Sequence, residues 1–272
     1  MSGLVLRLAT EPQFDLDLSD IIPERIGKAT LDAVKRMRLA QGKRRLALGD
    51  LFEVDGTPGA TITFRGATAK LRRIGCGMTS GSVLVSGNAG DELGSGMTGG
   101  NIRVRGNAGD YVGSGMRGGT IEISGSAGNF TGGALPHRAL GMRDGIICVG
   151  RNTGERTGDR MRRGLLVING DSGRYCGSNM IAGTIIVTGH TAAGVGLGMR
   201  RGSIVLLQEP GEMPATFNDC GIYSLTILAL LLRYVGSVNR RAYSRLRSMQ
   251  RVRRFAGDIG CNGQGELLVL SP

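Results

Sequence analysis

Arginine follows methionine at one recurring position of this chain: Arg117, Arg143, Arg162 with Arg163, and Arg200 with Arg201. Like charges stacked on neighbouring strands repel unless they are solvated or paired. A column of guanidinium groups is therefore either a wetted edge or a seat for an anion. His137 and Arg138 lie in Ala134-Leu-Pro-His-Arg-Ala, a short insertion that breaks an otherwise even spacing. Loops that interrupt a regular array often carry contacts, so this insertion is a contact between subunits or an idle bulge. Asp91, Asp110 and Asp171 occupy what look like equivalent turn positions. Stacked carboxylates can ligate calcium or serve as a general acid and base. Asn129 interrupts the series, however, and the neighbourhood reads as small residues without an aromatic platform, so turn capping is expected. His190, the second of two histidines, falls in the turn slot of Asn88 and Asn107. Nothing pairs either histidine with a nucleophile.

Other residue types point away from chemistry. Met78, Met97, Met116, Met142, Met161, Met180 and Met199 recur every 19 residues, with one interval of 26. Thioethers favour soft metals, but no Cys or His accompanies them in register, so they should fill one interior slot. The Gly-x-Gly strings are followed by strands, not helices, and no Gly-Lys-[Ser/Thr] is present, so they are turns and not phosphate loops. No catalytic residue and no metal site is expected.

What positions these residues is a tandem repeat from about Ile62 to Leu207. The local pattern is a strand such as the alternating Ile102-Arg-Val-Arg, a turn such as Gly106-Asn-Ala-Gly, a glycine-spaced stretch and the methionine, followed by Gly-Gly after Met97 and Met116. Alternation places one face inward, and Gly and Asn supply positive φ at the turns. A fixed period near twenty without helical periodicity predicts stacked units, here a parallel β-helix. Seven coils at strand spacing make a rod of about 33 Å. Residues 1–58 should cap the first coil, with a strand over Leu4–Leu8, a helix opening near Asp20 and another capped by Thr30 across Leu31 to Leu39. Residues 59–207 form the β-helix. Residues 208–272 should form a helical and basic extension: an apolar helix from Tyr223 to Val235, a basic one from Asn239 to Arg254, and a closing strand after Gly263.

The 272 residues include 48 Gly and no Trp, so the core must be built from small and branched side chains. The net charge of +12 implies an anionic partner: nucleic acid, an acidic protein surface or a polyanionic cofactor. Scarce aromatic residues remove the stacking platform that single-stranded nucleic acid needs, so nucleic acid is not expected. Five scattered cysteines without a CxxC pair fit a reducing cytoplasm. No signal peptide is apparent, and the longest apolar run is too short to span a bilayer.

The repeat x-Ile-x-Val-x-Gly-Asn-Ala-Gly-Asp-x-x-Gly-x-Gly-Met-x-Gly-Gly resembles the third (C) subunit of the formylmethanofuran dehydrogenases and is similar to the GXGXG domain of glutamate synthases. Leu48-Gly-Asp-Leu-Phe-Glu-Val-Asp-Gly, Arg254-Phe-Ala-Gly-Asp and Gly263-Gln-Gly-Glu-Leu extend the first likeness beyond the repeats. The resemblance implies an all-β solenoid, a right-handed parallel β-helix without catalytic residues of its own. In methanogens such a chain belongs to a molybdenum or tungsten enzyme. In aerobic methylotrophic bacteria it belongs to a formyltransferase/hydrolase complex, alongside formyltransferase and amidohydrolase-like subunits. That complex moves a formyl group from tetrahydromethanopterin to a methanofuran-type carrier and releases formate. The Arg-rich, Lys-poor composition favours the bacterial complex. Its polyglutamylated carrier is an anion that Arg117, Arg138, Arg143, Arg162, Arg163, Arg200 and Arg201 would suit. The competing class is a stand-alone β-helix enzyme or a glutamate synthase-like domain.

Overall fold

A computed structural model describes residues 3–272; Met1 and Ser2, the start of the expected 1–58 cap, lie outside the described residues. The N-terminal segment comprises β1 (Leu4–Leu8), β2 (Leu16–Asp17), α1 (Pro23–Ile26), α2 (Leu31–Lys35), β3 (Arg38–Gln41), β4 (Arg44–Ala47), α3 (Leu48–Leu51) and β5 (Phe52–Gly56). The Thr30 hydroxyl accepts the Ala33 N–H and caps α2 as expected. The helix stops at Lys35, short of the predicted Leu39. Arg38–Gln41 instead forms a hairpin with β4 across Gly42, whose φ of 58° suits a glycine.

The repeats contribute β6 (Thr61–Ala67), β7 (Leu71–Arg72), β8 (Ser82–Gly87), β9 (Asn101–Val104), β10 (Arg117–Ile123), β11 (Asp144–Val149), β12 (Leu165–Ile168), β13 (Thr184–Val187) and β14 (Ser203–Leu206). From β6 to β14, leaving aside β7, each strand pairs in parallel with its counterpart in the next repeat. A second column of parallel bridges runs through Ala89, Ala108, Ala127, Thr153, Ser172 and Thr191. At a third corner, Gly94, Gly113, Gly132, Gly158, Gly177 and Gly196 donate their N–H groups to the preceding repeat.

The C-terminal segment adds β15 (Asn218–Tyr223), α4 (Thr226–Val238), α5 (Arg240–Leu246), β16 (Arg251–Gly257) and β17 (Gly265–Ser271). Two expectations fail here. The apolar helix starts at Thr226, because Asn218–Tyr223 pairs antiparallel with β16. The basic helix ends at Leu246, because Arg251, Val252 and Arg253 alternate outward and inward, a strand pattern, and Arg251–Gly257 joins β17. The strand predicted after Gly263 is β17, which lies parallel to β14. The 13-stranded sheet is thus parallel through its middle and ends in antiparallel pairs: β1 with β5 at one end, β15–β16–β17 at the other.

All seven methionines of the column are fully buried. Such a side chain contributes about 1.5–3 kcal/mol on burial. Each methyl fills the room a side chain would need on a glycine of the next repeat. A Cβ on Gly100 would lie 2.8 Å from Met78 Cε, one on Gly145 2.7 Å from Met116 Cε, and one on Gly164 2.6 Å from Met142 Cε. The outer face changes along the stack. Between β9 and β10 it carries the Arg103–Glu122 ion pair at 2.8 Å. From β12 to β14 the outward residues Leu165, Val167, Ile186 and Val205 are buried under Leu228, Leu232 and Val235 of α4.

Asp258 closes the last repeat. It is 3% exposed and accepts the N–H groups of Gly198 and Gly260, both at 2.8 Å. Burial pushes its carboxyl upward, but the hydrogen bonds, led by Gly198, hold it below its ordinary value of 3.8. With the folded pKa depressed, its contribution is full above the ordinary carboxylate range and disappears as pH falls through the folded pKa. Asp258→Asn should therefore lower Tm most at neutral pH, with the gap to wild type closing in strong acid. A gap that stays constant from pH 7 downward refutes this role.

Candidate functional site

The N–H groups of Arg117, Arg143, Arg162 and Arg200 bond to the carbonyls of Met97, Met116, Met142 and Met180 at 2.7–2.8 Å, which fixes all four at one corner. Ile181 takes the same place in the intervening repeat, with its N–H on Met161 O, so the column is interrupted. Arg117, Arg138, Arg162, Arg163, Arg200 and Arg201 are exposed and Arg143 is half-buried. None has a carboxylate within 4.0 Å among the described residues.

The structure brings three of the predicted residues together. Arg117, Arg138 and Arg143 line one depression of about 360 Å³ together with Ser114, Thr98 and Leu135. The Ser114 hydroxyl, in a residue 2% exposed, has no hydrogen-bond partner among the described residues. His137 sits exposed on the same insertion but does not line the depression. Arg162, Arg163, Arg200 and Arg201 lie further along and take no part in it.

Asp159 and Arg160 hold the insertion in place. Ala134 N–H bonds to Asp159 O at 3.2 Å and Gly141 N–H to Arg160 O at 3.0 Å. The Arg160 guanidinium donates through Nη1 to the Arg138 carbonyl at 3.2 Å. Asp159 is fully buried, accepts from Ser178 Oγ at 2.9 Å and Asn179 Nδ2 at 3.1 Å, and pairs with Arg160 Nε at 3.1 Å.

The carboxylate series is not the one expected. Asp110 N–H bonds to Asp91 Oδ1, Asn129 N–H to Asp110 Oδ1 and Glu155 N–H to Asn129 Oδ1, at 2.7–2.9 Å. Asn129 thus continues the ladder, because a carboxamide oxygen accepts as a carboxylate does. Asp171 belongs to a different column, linked to Asn152 before it and His190 after it. His190 does share the turn slot of Asn88 and Asn107. The expected lack of aromatic rings is also corrected: Tyr111 and Phe130 stack at 4.9 Å beside this ladder. Together with Arg73, Glu92, Arg156 and Tyr175 they form a column of non-glycine residues at φ 54–61°. The signal was their spacing from the methionines, but side-chain type masks it.

Burial pushes the Cys148 and Cys176 thiols up to about 11, and raises that of Cys76, so none is a ready thiolate. Among the described residues no group of three or more His, Cys, Asp or Glu could hold a metal ion. Among the described residues no helix is long and apolar enough to cross a membrane.

These features define a protein of stacked parallel β-repeats with a basic corner at its one insertion. The GXGXG motif family matches residues 77–227. The C subunit of the tungsten-containing formylmethanofuran dehydrogenase 2 of Methanococcus maripaludis is 32% identical over 92 residues, 33% of this chain and 34% of that one. The C subunit of the formyltransferase/hydrolase complex Fhc of Methylorubrum extorquens is 34% identical over 88 residues, 32% of this chain and 33% of that one. These alignments span about a third of each relative's length. A chain in the crystal structure of the formyltransferase/hydrolase complex (FhcABCD) from Methylorubrum extorquens with methylofuran superposes with a TM-score of 0.91 at 33% identity, covering 98% of this chain and 100% of that one. The chain belongs to the GXGXG motif family, and within it to the group formed by the C subunits of formylmethanofuran dehydrogenases and formyltransferase/hydrolase complexes.

Proposed function

We propose that this chain is a non-catalytic scaffold subunit of a cytoplasmic formyltransferase/hydrolase complex. Formyltransferase and amidohydrolase-like partners would move a formyl group from tetrahydromethanopterin to a methanofuran-type carrier and release formate. The observation that carries this reading is the end-to-end likeness to a chain of such a complex, which spans the N-terminal segment, the repeats and the C-terminal segment alike. The repeats are taken as seven coils of a right-handed parallel β-helix, a reading supported by their three columns of parallel bonding. A tag on this chain should recover formyltransferase and hydrolase subunits at fixed ratio, and native mass spectrometry should weigh the assembly. Recovery of molybdopterin or tungstopterin subunits would replace this reading with the dehydrogenase one. Recovery of the chain alone, with turnover of its own, would replace it with an enzyme.

The polyglutamate tail of the carrier is the anion proposed for the depression. Guanidinium groups without internal partners suit carboxylates, and Arg117, Arg138 and Arg143 converge there. Replacing all three by Glu should weaken binding of a polyglutamate peptide to the complex more than tenfold at low salt and flatten its salt dependence. Arg200→Glu with Arg201→Glu should change it less than threefold. Equal losses in both variants would mean a diffuse charge effect and no site.

A further inference from the structure

Helix α4 is apolar on two faces, and only one is used. Leu228, Leu232 and Val235 pack on the outer face of β12 to β14. Ile227, Leu230 and Tyr234, at i, i+3 and i+7, form a second stripe that is 63%, 57% and 49% exposed. Ile222 and Tyr223 on β15, just before the helix in sequence, are 57% and 45% exposed. Large apolar side chains grouped like this on a surface mark a contact.

Three observations identify the occupant. First, residues 226–250 contain five arginines (233, 240, 241, 245 and 247) and no acid. Arg233 and Arg247 line a groove of about 360 Å³ on the flank of α4 and have no carboxylate within 4.0 Å among the described residues. Second, β15 is the terminal strand of the 13-stranded sheet, paired on one side only. Its outer edge is a place where a protein chain can add a strand, although Asn218 O, Cys220 O and Gly221 N–H already have side-chain partners. Third, a second copy of this chain would bring the same arginines against themselves, a like-charge contact that disfavours self-association.

We infer that the outer face of α4 with the outer edge of β15 is a docking surface for a different protein chain, one that presents an apolar centre bordered by Asp and Glu. This inference rests on the chain's membership of an assembly, as proposed above, and not on the chemistry of that assembly. In the full complex a photo-crosslinking residue at position 230 should join this chain to a partner segment that carries carboxylates. Ile227→Ser, Leu230→Ser and Tyr234→Ser together should reduce recovery of that partner more than tenfold at an unchanged Tm. Arg233→Glu with Arg247→Glu should reduce it at low salt and converge on wild type at high salt.

Crosslinking to a second copy, no crosslink in an intact assembly, or full partner recovery by the serine variant would each overturn the inference. So would flotation of the isolated chain with phosphatidylserine vesicles that the serine variant abolishes. A crosslink to an acidic partner that is neither formyltransferase nor hydrolase would support the surface while defeating the proposed function.

Discussion

Gly164→Ala is expected to destabilise the fold by about 2–6 kcal/mol. Gly164 has a φ of 101°, where a side chain is strained by about 1–3 kcal/mol. Its Cβ would also lie 2.6 Å from Met142 Cε and 2.8 Å from the Gly145 carbonyl, and overpacking adds about 1–3 kcal/mol. Met142→Ala alone should cost about 2–5 kcal/mol through its cavity. The double variant should cost about 1–3 kcal/mol less than the sum, because removing the methyl frees the space the new Cβ requires. The backbone strain and the clash with the Gly145 carbonyl remain, so the recovery is partial. Urea melts of the four proteins close the cycle. Strict additivity would show that the methionine methyl and the glycine are not one packing unit.

That pairing is half legible in the chain itself. The recurrence of Met and of a glycine three residues after it is visible in the sequence, and both lie in register in the fold. The sequence does not reveal that each Met reaches the glycine of the next repeat, since that is a contact between neighbours in space. The carboxylate columns were legible in principle. Asp91 and Asp110 each precede their methionine by six residues (97 − 91 and 116 − 110), whereas Asp171 precedes Met180 by nine (180 − 171). Counting from the methionine separates them; matching on residue type merges them.

The C-terminal errors have another cause. Tyr223 to Val235 is apolar enough to read as helix throughout, but pairing with β16 takes its first residue into a strand. The buried outer face is readable in the strands: Ile102-Arg-Val-Arg alternates, while Leu165-Leu-Val-Ile and Ile185-Ile-Val do not. A strand apolar on both faces needs a cover on each, and α4 is that cover. The grouping of Arg117, Arg138 and Arg143 was the least legible feature. It depends on how the insertion folds back, and residues outside the candidate set decide that.

Those residues make the second large prediction. Asp159→Ser should destabilise the protein by about 2–3 kcal/mol. Breaking a buried ion pair costs about 3–5 kcal/mol, but the Arg156 and Arg160 side chains are 41% and 42% exposed, so water compensates part of it. Serine is what the equivalent corner carries at Ser95, Ser114 and Ser178; the aspartate occurs where the insertion must be anchored. The effect on anion binding has an opposite sign under the two available accounts. On charge alone, removing an acid near Arg138 strengthens attraction for polyglutamate. On geometry, Arg160 loses the carboxylate that aims it at the Arg138 carbonyl, the insertion loosens, and Arg138 no longer converges with Arg117 and Arg143. We expect geometry to win, with affinity falling several-fold although the net charge becomes more positive, because paired guanidinium–carboxylate contacts depend on where Arg138 is held beside Arg117 and Arg143. Tighter binding by the Asp159→Ser complex would show that the depression works as a diffuse field and that the insertion does not shape it.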